Sequence, residues 1–305
     1  MADLKLGIDA CFARKRWPDP KDWMKIVRDD LNLDYVEFCS DLLDPILTPE
    51  STRVRTAKEI RKIAEDLGLT IVVYYTGLIP HCLNLLSHPD LEARALGLRW
   101  CIGAIETASY MGARGIGGHF DTIAYKDWSD PERRKFMIDN LLESFRYLSR
   151  VACDAGQEFI LWEQMYTPNE APHTIREAHE LYERVNEGAA VPIYLTVDVG
   201  HACHRGYPYS PEDADPYQWL REFARVSPVI HIQQTDASAS HHWPFTAKYN
   251  ERGIVDPKKV IDAIEASGSK ENYLILEIFH SLGTGEDQLI SDLKESVAYW
   301  RQYLK

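Results

Sequence analysis

The sequence predicts an α/β fold of the (β/α)8 barrel type, and three observations carry that prediction. Eight short apolar runs rich in β-formers recur along the 305 residues, and a helical or loop-plus-helix segment follows each. The runs are continuously apolar instead of alternating, as parallel strands buried on both faces are. The turn after the first run reads Cys11-Phe12-Ala13-Arg14-Lys15, without the Gly-x-Gly of an open sheet that cradles a dinucleotide. About 250–300 residues is an ordinary size for one barrel, so the expectation is a single domain over residues 1–305.

In chain order the expected strands are Leu4–Phe12, Leu33–Asp41, Leu69–Thr76, Arg114–His119, Glu158–Glu163, Ile193–Asp198, Val229–Gln234 and Tyr273–Phe279. The helices between them carry start and stop signals. Asp19-Pro20, Asp130-Pro131, Asp215-Pro216 and Asp256-Pro257 each set a capping acid before a Pro at the first helical position. Gly68, Gly112, Gly156, Gly188 and Gly268 stand where helices end. The helix after the second strand places Val54, Ala57, Ile60, Ile63 and Ala64 near a 3.6-residue period.

Charge and composition narrow the function. Lys plus Arg is 34 against 47 Asp plus Glu, a net charge of −13. A surface that acidic repels a phosphate backbone, which argues against nucleic acid as a partner. No apolar run approaches the roughly 20 residues of a membrane span. Met1-Ala2-Asp3-Leu4-Lys5 leads straight into a strand, without the features of a secretory leader. The six cysteines are scattered, with no Cys-x-x-Cys, as suits thiols in a reducing compartment. Together these predict a cytoplasmic protein without a membrane partner.

A barrel collects its chemistry at the carboxyl ends of its strands. There the fifth run ends in Glu163 and the sixth in Asp198, with His201 three residues on. The seventh carries His231 and the eighth Glu277, each inside an otherwise apolar stretch. An unpaired charge at such a position costs several kcal/mol, and a shared cation removes that cost. Two Glu, one Asp and one His form a mixed oxygen and nitrogen set suited to one divalent ion, Mg2+ or Mn2+ first and Co2+ next.

Nine of the eleven histidines (His81, His119, His173, His201, His204, His231, His241, His242 and His280) fall at strand ends or in the loops after them, against His88 and His179 on helices. His201 and His119 directly follow strands and are candidates to hydrogen-bond a polyol. Aromatic residues near the same ends (Phe12, Trp17, Tyr74, Tyr75, Phe120, Trp162, Tyr166, Trp243 and Phe279) suit either a sugar face or simple core. For an anionic substrate the loops offer Arg14, Lys15, Arg16, Lys126, Arg205, Lys248 and Arg252, plus the pair His241-His242, with Arg14-Lys15-Arg16 after the first strand and Lys248 after the seventh well placed.

These residues resemble the xylose isomerase-like (β/α)8 superfamily, and within it the sugar and sugar-phosphate isomerases and epimerases that include ketose 3-epimerases. The resemblance covers essentially the whole chain. It rests on Glu163 in Leu-Trp-Glu, on Asp198-Val199-Gly200-His201, on His231 in Val-Ile-His-Ile and on Glu277 in Leu-Glu-Ile-Phe. It implies that Glu163, Asp198, His231 and Glu277 hold one metal, that Glu163 and Glu277 are the acid/base pair, and that His201 touches substrate. Many relatives carry an Arg six residues after the strand-seven His. Here that position is Ala237, so another residue serves, or the substrate differs at that end.

The activity so implied is proton transfer alpha to a ketose carbonyl through a metal-stabilised enediolate. Within the family the chain looks most like the branch acting on short ketose phosphates, such as tetrulose-phosphate 3-epimerases. The alternative is an aldose–ketose isomerase acting on a free sugar. An endonuclease IV-type abasic-site nuclease shares the fold, but the −13 charge and a ligand set short of three zinc ions stand against it. A sugar-binding protein on a retired barrel would be expected to lack one of the four ligands. Apolar residues of the last helix (Leu289, Ile290, Val297, Trp300, Leu304) suit either a partner copy in a homo-oligomer or the chain's own barrel.

Overall fold

The computed structural model of the chain describes residues 2–203 and 210–304; His204 and Arg205 lie outside the described residues. Eight strands close in chain order into a barrel: β1 (Asp3–Asp9), β2 (Tyr35–Cys39), β3 (Thr70–Tyr75), β4 (Gly115–Gly118), β5 (Phe159–Glu163), β6 (Ile193–Asp198), β7 (Val229–Ile232) and β8 (Glu271–Leu276). Between and after them come α1 (Pro20–Lys25), α2 (Glu50–Leu67), α3 (Leu78–His81), α4 (Leu91–Met111), α5 (Tyr125–Ser129), α6 (Pro131–Asp154), α7 (Ile175–Asn186), α8 (Pro216–Phe223), α9 (Ala247–Asn250), α10 (Pro257–Ala266) and α11 (Glu286–Arg301). No described helix is long and apolar enough to cross a membrane.

Local chemistry explains the element limits. The four Asp-Pro pairs expected to cap helices do so, with Asp19, Asp130, Asp215 and Asp256 each accepting a hydrogen bond from a first-turn N–H. Such a cap is worth about 1 kcal/mol. A fifth pair, Asp44-Pro45, instead opens a turn in which Asp44 Oδ1 accepts the Ile46 and Leu47 N–H groups. The five helix-ending glycines all hold positive φ, from 69° to 79°. β1 ends at Asp9, three residues short of the predicted Phe12, because the Asp9 Oδ1 accepts the Cys11 N–H at 2.9 Å and starts a 3-10 turn over Ala10–Ala13. β8 ends at Leu276, so Glu277 stands just past the strand instead of inside it, although its N–H still donates to the Ile232 carbonyl at 3.1 Å.

The backbone groups into two compact units, the first being Met1–Phe38, Ile63–Thr70 and Thr196–Lys305. It holds β1, most of β2, the end of β6, and β7 and β8. Parallel register sets Asp9 beside Glu37 on β1 and β2, and Asp198 beside His231 on β6 and β7. Residues paired in register point to the same face of a sheet, so register alone brings two polar pairs to one side. Leu289, Val297 and Trp300 of α11 are buried within the chain.

The second unit is Cys39–Lys62 and Ile71–Leu195. Its core packs Phe145 against Trp162 at 4.8 Å and against Phe120 at 5.6 Å, edge to face. Tyr74, Tyr75, Phe120 and Trp162 are all at most 1% exposed. These strand-end aromatics are therefore core, whereas Trp17, Tyr166, Trp243 and Phe279 are half-buried.

Candidate metal and active site

In the first unit the site is built around His231. Its ring is fully buried, and Nε2 lies 2.9 Å from Oε1 and 3.1 Å from Oε2 of Glu37, itself fully buried on β2. Nδ1 faces the other way, 3.1 Å from Glu277 Oε2 and 3.9 Å from Asp198 Oδ2. A carboxylate behind a ring nitrogen fixes the tautomer and leaves the opposite nitrogen as a donor atom for a metal.

Asp198 ends β6 with both oxygens engaged. Oδ1 accepts the N–H groups of Gly200 (2.6 Å) and His201 (3.1 Å), and the Gln233 amide donates to both oxygens at 3.0 and 3.1 Å. Burial by itself would raise this carboxyl, but the imidazoles of His201, His242 and His231 outweigh it and hold the pKa at about 2. Asp198 is therefore an anion throughout the physiological range. His201 is buried, with Nε2 3.9 Å from Asp198 Oδ2.

Asp9 behaves oppositely. Burial pushes its pKa up to about 6, against the pull of Arg14, of His231 and of the Cys11 N–H. Arg14 is half-buried, its Nε donating to the Cys11 carbonyl at 3.0 Å and its guanidinium 4.8 Å from the Phe279 ring centre. Lys248 lies farther out. It is exposed on α9, 5.0 Å from the Tyr249 ring, and lines a cleft of about 620 Å³ with Trp243, Phe279, His280 and Asp292.

In the second unit Glu163 ends β5 and is 2% exposed. His119 follows β4 and is fully buried. Its N–H donates to Thr76 Oγ1 at 3.0 Å, Nε2 stands 3.8 Å from Glu170 Oε1, and the ring lies 4.9 Å from that of His81.

Glu163, Asp198, His231 and Glu277 are all buried, and each offers one ligand atom such that these atoms lie within 4.8 Å of one another. A buried cluster of this composition could hold a metal ion. Sequence reading passed over Glu37, Asp9 and Gln233. Glu37 interrupts the apolar run Tyr-Val-Glu-Phe-Cys as Glu277 interrupts its own, so the signal was present. Gln233 carries no charge and gives no such signal.

The profile of the xylose isomerase-like TIM barrel family matches residues 28–303. Over 303 residues the chain is 28% identical to a D-erythrulose 1-phosphate 3-epimerase of Brucella abortus (strain 2308), covering 99% of this chain and 96% of that protein. A crystal structure from Rhodospirillum rubrum ATCC 11170, provisionally described as a xylose isomerase, superimposes with a TM-score of 0.91 at 28% identity, over 98% of this chain and 99% of the other. A D-psicose 3-epimerase from Clostridium cellulolyticum H10 shares the fold, with a TM-score of 0.73 at 16% identity over 99% of each chain. With the profile spanning all but the first 27 residues and the last two, the chain belongs to the xylose isomerase-like TIM barrel family, and the relatives that it matches are named as epimerases and isomerases.

Proposed function

We propose that the chain is a divalent-metal-dependent epimerase that moves a proton at the carbon alpha to a ketose carbonyl, on a short ketose phosphate of the tetrulose class. The observation that carries this reading is the buried Glu163, Asp198, His231 and Glu277 cluster, in a chain akin to a protein named D-erythrulose 1-phosphate 3-epimerase.

The donor set fits a divalent ion. Neighbouring ligand atoms around such an ion stand about 3 Å apart, and His231 Nδ1 and Glu277 Oε2 are 3.1 Å apart. When bound, the ion supplies Lewis-acid polarisation of the substrate carbonyl. The chain's own residues do the rest. One of Glu163 and Glu277 takes the proton alpha to the carbonyl, and the other returns a proton to the opposite face of the same carbon. His201 and His119 hydrogen-bond substrate hydroxyls. Arg14, whose charge is felt at Asp9, and Lys248 are the cations offered to the phosphate.

The test is incubation with Mn2+ or Mg2+ in deuterated water with tetruloses and pentuloses, free and phosphorylated, followed by NMR. Deuterium at C3 with inverted product is the expected result, fastest on a tetrulose phosphate. Deuterium accompanied by an aldose product replaces this reading with aldose–ketose isomerisation. Absence of exchange on every ketose, with metal bound, ends both.

A further inference from the structure

The loop after β7 departs from the pattern in which an Arg follows the strand-seven His, and Ala237 stands at that place. The same loop brings His242 to Glu277. The loop is closed by paired backbone hydrogen bonds between Gln234 and Trp243 at 2.9 and 3.0 Å. His242 sits beside that closure with a φ of +51°, in the left-handed region that non-glycine residues enter at a cost of roughly 1 kcal/mol or more. Its ring stacks on Phe279 at 4.1 Å and 11°. Its side chain is 13% exposed, with Nδ1 3.4 Å from Glu277 Oε2 and 3.3 Å from the Glu277 carbonyl oxygen.

Gln233 dictates which nitrogen carries the proton. Its Oε1 accepts the His242 backbone N–H at 2.5 Å, so its amide cannot be flipped, and its Nε2 faces the Asp198 carboxylate at 3.0 Å. That same Nε2 lies 2.8 Å from Ser240 Oγ and 3.2 Å from His242 Nε2, and Ser240 Oγ, 3.1 Å from the same ring atom, has its own O–H to donate to it. A ring nitrogen that faces an amide donor and a hydroxyl, when the other ring nitrogen faces only oxygens, is the acceptor. The proton of the neutral ring is then on Nδ1, which faces two oxygen atoms of Glu277.

From this geometry we infer that His242 is a positioning residue. Held as the Nδ1–H tautomer by Gln233, it donates to Glu277 and sets the direction of the carboxyl that moves the substrate proton. The inference rests on the proposed role of Glu277. It makes Asp198, Gln233, His242 and Glu277 one hydrogen-bonded line from a metal-facing carboxylate to a proton-moving one. Loss of the donor tilts Glu277 without removing it, and a misplacement of that kind costs roughly 100-fold in rate.

Two variants and one spectrum test it. His242→Phe keeps the flat ring over Phe279 and removes the donor. His242→Asn keeps a donor near the Nδ1 position, and Asn tolerates the left-handed backbone. With a ketose phosphate turned over by the wild type, His242→Phe is expected to lower kcat roughly 100-fold, with KM and Mn2+ affinity changed less than about threefold, while His242→Asn recovers to within about tenfold of wild type. Unchanged kcat in His242→Phe overturns the inference and leaves the epimerase reading standing, and equal losses in both variants overturn it as well. The 15N spectrum of the imidazoles, recorded without metal and with Mg2+ above the ordinary histidine pKa, is independent of turnover. A proton on Nδ1 of His242 is expected, and a proton on Nε2 overturns the inference. If no ketose is turned over, the epimerase reading falls and this spectrum alone decides the hydrogen bond.

Discussion

Glu37 and His231, 194 residues apart in the chain, meet inside the barrel with an oxygen of one 2.9 Å from Nε2 of the other. Neither side chain is exposed at all. A buried carboxylate behind a buried imidazole makes the far nitrogen a stronger donor and holds the ring in one orientation. Removing the negative charge while keeping the shape isolates that effect. Glu37→Gln is expected to weaken Mn2+ or Mg2+ binding by about 10- to 100-fold, read by calorimetric titration, with the folded state retained by circular dichroism. Wild-type affinity in this variant would show that Nε2 needs no carboxylate.

Glu163 and Glu277 are assigned the proton transfers, so their charge matters more than their shape. Glu163→Gln and Glu277→Gln are each expected to lower exchange at the carbon alpha to the carbonyl by about 100-fold or more. Thermal unfolding of the metal-free variants should stay near that of the wild type. Full turnover in either variant removes that residue from the acid/base pair.

Gly200 is small because Gln233 passes against it. A Cβ built at Gly200 falls 2.2 Å from Gln233 Cδ and 2.5 Å from its Oε1, closer than atoms can approach. Gly200→Ala therefore displaces the amide that donates to Asp198. The expected stability loss is about 1–3 kcal/mol, measured by denaturant unfolding, together with weaker metal binding. A variant with both properties unchanged would mean that the loop yields at no cost.

Asp121, fully buried after β4, offers a pH signature of its own. Burial raises its pKa well above the ordinary 3.8, with Glu170 and Glu177 pushing the same way, against the Ala171 N–H and the Trp162 side chain. The folded state thus holds this proton more tightly than the unfolded chain. Its contribution to stability is complete below 3.8 and is lost as pH rises through the elevated value. Asp121→Asn, which cannot ionise, is expected to lose less stability than wild type between acid and neutral pH in denaturant titrations at several pH values. Parallel pH profiles for the two proteins would contradict this.

Much of this protein can be read locally. An apolar run of five or six residues declares a strand, and an Asp-Pro pair ahead of a helix-forming stretch declares a helix start, because both effects act within one or two turns of chain. Glu163, Asp198, His231 and Glu277 could be picked out for the same reason, since each sets a polar group in or at the end of a buried run. Strand ends were less legible. Whether β1 runs on to Phe12 depends on a hydrogen bond from the Cys11 N–H to Asp9, which competes with the ladder.

What the sequence by itself determined is the count and order of strands, the helix caps and the kinds of residue gathered at the strand ends. Only the tertiary structure decided that Glu37 backs His231, that burial and Arg14 pull the pKa of Asp9 in opposite directions, and that Gln233 turns His242 toward Glu277. These are contacts between residues far apart in sequence, fixed by strand register and barrel closure. Composition and periodicity report how a residue suits its neighbours along the chain, and carry no record of which side chains closure will bring face to face.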